Sequence, residues 1–163
     1  MKRKAMIAGI VSAALAVAII CAGTASGKTS KNTKTFAISG QVTGHLSEAN
    51  TSDLCASGVV ASGKEYETTL NLPAVKPLKG LWSIEIQAPL GTIRFPAASP
   101  TMVTLTAPSG VAAYKGGIWT AGGNNGSGTL KLKKTGGSIN LVLPPASSAE
   151  TKAEKVVGSW SCP

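Results

Sequence analysis

The sequence predicts an all-β fold: an antiparallel β-sandwich or partly closed barrel of about eight to ten short strands. Three observations carry this. From Phe36 onward apolar residues recur at every second position, turn-forming residues break the runs every several positions, and helical spacing is nearly absent. One flat sheet would leave a face of every strand uncovered, so the alternation asks for two layers or a closed wall. The 163 residues suffice for one core but not two, which excludes a multidomain enzyme. With 43% hydrophobic residues, the 19 Gly and 9 Pro read as turns in a folded body and not as disorder.

In chain order, Lys2, Arg3 and Lys4 precede an apolar run over residues 5–20, and small residues follow at 22–26. Basic, apolar, then small is the order of a secretory signal peptide. We assign it to residues 1–25 with the cut after Ala25, because Gly23 and Ala25 fit the small subsites before a cleavage point. The apolar run is shorter than the ~20 residues of a spanning helix. The alternative is lipidation of Cys21, although Ile20 stands where a lipoprotein signal wants a small residue. Residues 26–35 are small, polar and basic, the composition of a flexible linker. The β-domain then occupies residues 36–163.

Within it, Phe36, Ile38, Gly40 and Val42 share one face of a first strand. Tyr66, Thr68, Leu70 and Leu72 share a second, and Trp82, Ile84, Ile86 and Ala88 a third. Pro89, Leu90 and Gly91 then predict a hairpin turn into a strand over 92–95. Further strands are expected over 102–107, 111–114, 118–120, 129–133, 139–143 and 156–162, with turns at 108–110, 122–126 and 136–137. Ser147 and Glu150 have the spacing of a capping box, so residues 148–155 read as a short helical turn or a solvated loop.

After Cys21, two cysteines remain. In an exported chain Cys55 and Cys162 read as one disulfide tying the last strand to an early one, worth ~4.7 kcal/mol by loop entropy. Two reduced thiols or a metal site are the rivals, and His45 alone completes no coordination shell. No metal or cofactor is expected. The net charge of +9 sits mostly outside the body: Lys2, Arg3, Lys4, Lys28, Lys31 and Lys34 precede residue 36, whereas all 7 acids follow it. That leaves little reason to expect a nucleic-acid partner. Membrane contact is expected only through the signal segment or a lipid on Cys21.

Motifs for chemistry are weak. Residues 58–64 have the Gly and Gly-Lys spacing of a phosphate loop, but Glu65 replaces the Ser or Thr that would hold magnesium, and an alternating strand follows instead of a helix. His45 reads as an exposed residue in a polar turn near Asp53, the single Asp. Glu65 and Glu67, or Glu85 with either, are the paired-carboxylate candidates, and they read as solvated charges. Trp82 and Trp160 fall on apolar periodicity and read as core. Trp119, flanked by Gly116, Gly117, Gly122 and Gly123, is the candidate contact for a sugar or partner surface, with core packing as its alternative.

The closing run 156–162, the early strand at 36–40 and Cys55, placed after an export signal and a polar linker, resemble the layout of small secreted or lipid-anchored actinobacterial envelope proteins. The nineteen-kilodalton mycobacterial lipoprotein antigen type is the nearest such group. The resemblance implies an export signal, a tether and a β-rich domain whose two cysteines map onto Cys55 and Cys162, with the lipid acceptor at Cys21. The expected function is a non-catalytic binding or structural module of the cell envelope or medium, with a protein or glycan partner. The alternatives are a carbohydrate-binding module using Trp119 and a secreted hydrolase built from scattered Ser, His45 and acids.

Overall fold

The computed structural model describes residues 34–48, 58–59, 65–147 and 150–161. The expected signal segment with Ala25, and Cys21, Cys55, Cys162 and Asp53, lie outside the described residues. The elements are β1 (Lys34–Ser39), β2 (Gly44–Glu48), β3 (Gly58–Val59), β4 (Tyr66–Val75), β5 (Leu81–Ala88), β6 (Gly91–Phe95), β7 (Met102–Thr106), β8 (Ile118–Gly122), β9 (Ser127–Lys133), β10 (Gly136–Leu143) and β11 (Glu154–Ser161). All pairings are antiparallel.

Ten of these strands form a nearly closed barrel in the order β6-β9-β10-β11-β1-β2-β4-β5-β7-β8, and β3 adds to the start of β4. The path has two walls. The first runs β6-β9-β10-β11-β1-β2 and the second β4-β5-β7-β8. They meet at a narrow corner where only His45 and Leu46 of β2 pair with Val75 and Ala74 of β4. Across the opposite gap, the chain leaving β10 docks on the free edge of β8. Thr120 N donates to Pro144 O at 2.9 Å, and Ala146 N donates to Ile118 O at 2.8 Å.

Alternation fills the space between the walls. Leu70, Leu72, Ile84, Ile86, Val103 and Leu105 point in from the second wall; Phe36, Ile38, Leu130, Leu132, Ile139, Leu141 and Val156 point in from the first, all of them buried. Each such side chain contributes about 1.5–3 kcal/mol on leaving water. Two aromatic groups anchor this core. Trp82 stacks on Trp119 with centroids 6.4 Å apart and tilts against Tyr114 at 5.1 Å, while Phe36 stacks on Trp160 at 6.2 Å.

The strand at 36–40 begins earlier than expected, at Lys34, inside the expected linker. Four other local expectations are corrected. The hairpin over 89–95 does not form: β4 and β7 occupy both edges of β5, so the chain crosses at Pro89 and Leu90 and β6 pairs with β9 in the other wall. Residues 111–114 are a run of tight turns, closed by Tyr114 N and Lys115 N donating to Val111 O. There Tyr114 serves the core as a plug against Trp82, its hydroxyl accepting from Lys79 N at 3.1 Å. His45 lies on a strand, β2, and not in a turn. Finally, the expected helix near 148–155 is overtaken by β11 from Glu154. Ser147 Oγ donates to Glu150 Oε2 as a capping box would have it, but no helix follows, because the chain has no apolar stripe there and the sheet ladder of β10 is open to it.

Candidate binding face

Because side chains alternate across a strand, the register of the first wall fixes what its outer surface carries. Reading across the strands, one row is Thr92, Lys131, Ser138, Ser159, and the next is Arg94, Thr129, Asn140, Val157, Ala37, His45. Lys133 and Ser161 flank Gly136 at one end; Ser127, Val142, Lys155 and Ser39 make a row at the other. Arg94, Lys131, Lys133 and Lys155 are all exposed. Among the described residues this surface carries no carboxylate. The wall's buried acid, Glu154, points inward.

Two half-open depressions lie on this face. One, of about 330 Å³, is lined by Lys131, Lys133, Thr135, Gly136, Ser138 and the nearly buried Trp160. The other, of about 400 Å³, is lined by Thr129, Lys131, Ser138, Asn140 and Val157, with Ile139 and Gly158 beneath. Lys131 and Ser138 belong to both, so the two are halves of one trough. Its chemistry is that of an anion-binding surface: ammonium groups that can make charge-assisted hydrogen bonds, set among hydroxyl and carboxamide groups.

No family model, curated protein or solved structure matches this chain. The reading of the site therefore rests on its geometry.

The residue singled out for ligand stacking does not reach that surface. Trp119 is completely buried, pointing inward from β8, with its Nε1 donating to Lys152 O at 3.0 Å. A Cβ on the neighbouring Gly117 would come within 2.6 Å of the Trp119 ring, so the flanking glycines make room for the ring inside instead of leaving it open to solvent. An aromatic ring without an accessible face cannot stack on a sugar, and the Trp119 reading is corrected to core packing. Trp82 and Trp160 pack where the periodicity put them.

The carboxylates divide. Glu67 and Glu85 stand exposed on the outer face of the second wall, while Glu65 Oε2 accepts from Gln87 Nε2 at 3.1 Å. His45 is exposed at the β1-β2 side of the first wall, beside Ala37 and Val75. No acid adjoins it there among the described residues. Gly58 and Val59, the start of the phosphate-loop-like run, pair with Glu67 and Tyr66 as a sheet extension.

Sequence reasoning missed Glu154. Its carboxylate is fully buried at the foot of β11, where Val42 N donates to Oε2 at 3.0 Å and Oε1 has no hydrogen-bond partner. Burial pushes its pKa up to about 7, against the opposing pull of the Val42 and Gln41 N–H groups. The β1-β2 turn is clamped over it. Gln41 Oε1 accepts from Thr151 N and Lys152 N, and Gly40, at φ +153°, lies so close to Ala153 that a Cβ would meet its carbonyl oxygen at 2.1 Å. Three consecutive residues, 40–42, thus hold the chain entering β11 and with it the cap over Trp119.

Proposed function

We propose that this protein is an exported, non-catalytic binding module of the cell envelope or extracellular medium, engaging its partner through the outer face of β6, β9, β10 and β11. The observation that carries the reading is the trough centred on Lys131, cationic and hydroxyl-rich on a wall whose outer surface has no described acid. A long, solvated, single-signed face raises the local concentration of oppositely charged partners and speeds their encounter. The basic, apolar and small order of residues 1–26 supports export, and the layout resemblance to actinobacterial envelope proteins points the same way. Cleavage after Ala25 would release the module; a lipid on Cys21 would tether it to the membrane.

The test compares the exported protein with the Arg94→Ser, Lys131→Ser, Lys133→Ser triple variant for retention on cell-wall and membrane fractions of the cell that makes it. Residues 26–35 are identical in both, so their lysines cannot account for a difference. Loss of retention in the variant is expected; equal retention overturns the reading. Export itself is read by intact mass, with a chain beginning at Ser26 or a diacylglyceryl-modified Cys21 expected, and an intracellular chain still carrying residues 1–25 against it.

A further inference from the structure

Resting on that reading, we infer that the occupant of the trough is an acidic polysaccharide, its carboxylate or sulfate groups held by Lys131 and Lys133 and its hydroxyls by the rows of Ser, Thr and Asn between them. Three features of the face carry this. First, the cations are interleaved with short neutral donors and acceptors. Lys131 stands opposite Thr92 on one side and Ser138 on the other, Ser138 is opposite Ser159, and the adjacent row offers Thr129 and Asn140. Neighbouring strands are ~4.8 Å apart and like-facing residues along a strand ~6.7 Å, so the polar groups form a grid along which a chain of many hydroxyls and periodic charges can bond repeatedly. Second, the two depressions meet at Lys131 and Ser138 and continue from Trp160 to Val157, giving a run longer than a single small anion needs. Third, the remaining surface suits the other anionic partners badly. Val157 is the one strongly exposed large apolar side chain on this face among the described residues, which leaves a bilayer nothing to receive. No described aromatic ring lies open on it, whereas single-stranded nucleic acid is held by stacking its bases on such rings. An acidic protein would likewise find no aromatic anchor around which an interface core forms.

The experiment measures binding of the full exported chain, at fixed low salt, to four probes: polygalacturonate, neutral dextran, phosphatidylglycerol vesicles and a mixed-sequence single-stranded DNA. Wild type is compared with Lys131→Ser and with Lys115→Ser, a cation in the 111–117 turns away from this face, each verified for an unchanged unfolding midpoint. Polygalacturonate is expected to bind, dextran not to, and Lys131→Ser to weaken binding roughly tenfold or more, as loss of a charge-assisted hydrogen bond does, while Lys115→Ser stays within about twofold. Equal losses in the two variants would mean that net charge alone attracts the polymer, and would overturn the inference. So would binding of vesicles or DNA in preference to polygalacturonate. If the triple variant loses envelope retention yet no acidic polysaccharide binds, the occupant is wrong and the binding face stands; if retention is unchanged in the triple variant, the face itself is wrong.

Discussion

The two walls of this barrel share one interior and carry opposite exteriors. Outside the first wall stand Arg94, Lys131, Lys133 and Lys155 with no described acid; outside the second stand Glu67 and Glu85, with exposed Leu81, Met102 and Ile118, and β4, β5, β7 and β8 contain no Lys or Arg at all. Inside, both walls present the same aliphatic and aromatic surface. The difference teaches that a body of small net charge can still be strongly polar in the electrostatic sense. Ten basic and seven acidic groups nearly cancel along the chain, but alternation and strand order sort them by face.

The most damaging way to break this comparison is through what the walls share. Trp119→Ala removes a fully buried ring, its stack on Trp82 and its bond to Lys152, and is expected to cost about 3–5 kcal/mol, read as a fall in the denaturant midpoint. A variant of near-wild-type stability would contradict the core reading of this residue.

Next comes the inward acid of the cationic wall. The folded chain holds the Glu154 proton up to about pH 7, whereas the ordinary value is 4.5, so folding takes up a proton between these limits. Stability from this group is present in full below about pH 4.5 and declines as pH rises through 7, by about 3 kcal/mol from the two values. Unfolding free energies measured at pH 4.5 and 7.5 should show this loss, and Glu154→Gln should flatten it. An unchanged slope in the variant would place the proton elsewhere.

The outer faces themselves should be nearly silent in stability. Lys131→Ser with Lys133→Ser is expected to move the unfolding free energy by no more than about 0.5 kcal/mol while weakening anion binding, which separates the face from the fold. Smaller still is the cross-strand pair on the second wall: Thr104→Val removes the 3.3 Å hydroxyl contact to Thr120 and should cost about 0.2–1 kcal/mol without touching binding. A binding loss there would mean that both walls contact the partner.

The β class and most strands were legible because period-two alternation is local: Leu70, Leu72, Trp82, Ile84 and Ile86 announce their burial within a few residues. The route of β6 was not, since only the finished sheet reveals that both edges of β5 are taken. Trp119 misled for a related reason. Glycines beside an aromatic look like an open loop in one dimension, and here they are the clearance that lets the ring pack. The cationic face was hidden by summing charge along the chain, because its members come from β6, β9 and β11 and meet only through register. Glu154 was one more acid among Lys and Ala, and nothing in its neighbours says that residues 40–42 close over it.

The seam at β8 has a consequence for life in a crowded solution. A terminal strand with bare N–H and C=O groups is a template on which another polypeptide can grow, and fibrils begin in this way. Here the segment after β10 satisfies β8 through Pro144 O and Ala146 N, while Pro144 and Pro145 have no amide hydrogen to present on the far side. The ladder is thus capped by residues that cannot extend it. At the other end of the path stands β6, five residues long with Arg94 upon it, short and charged enough to discourage the same recruitment.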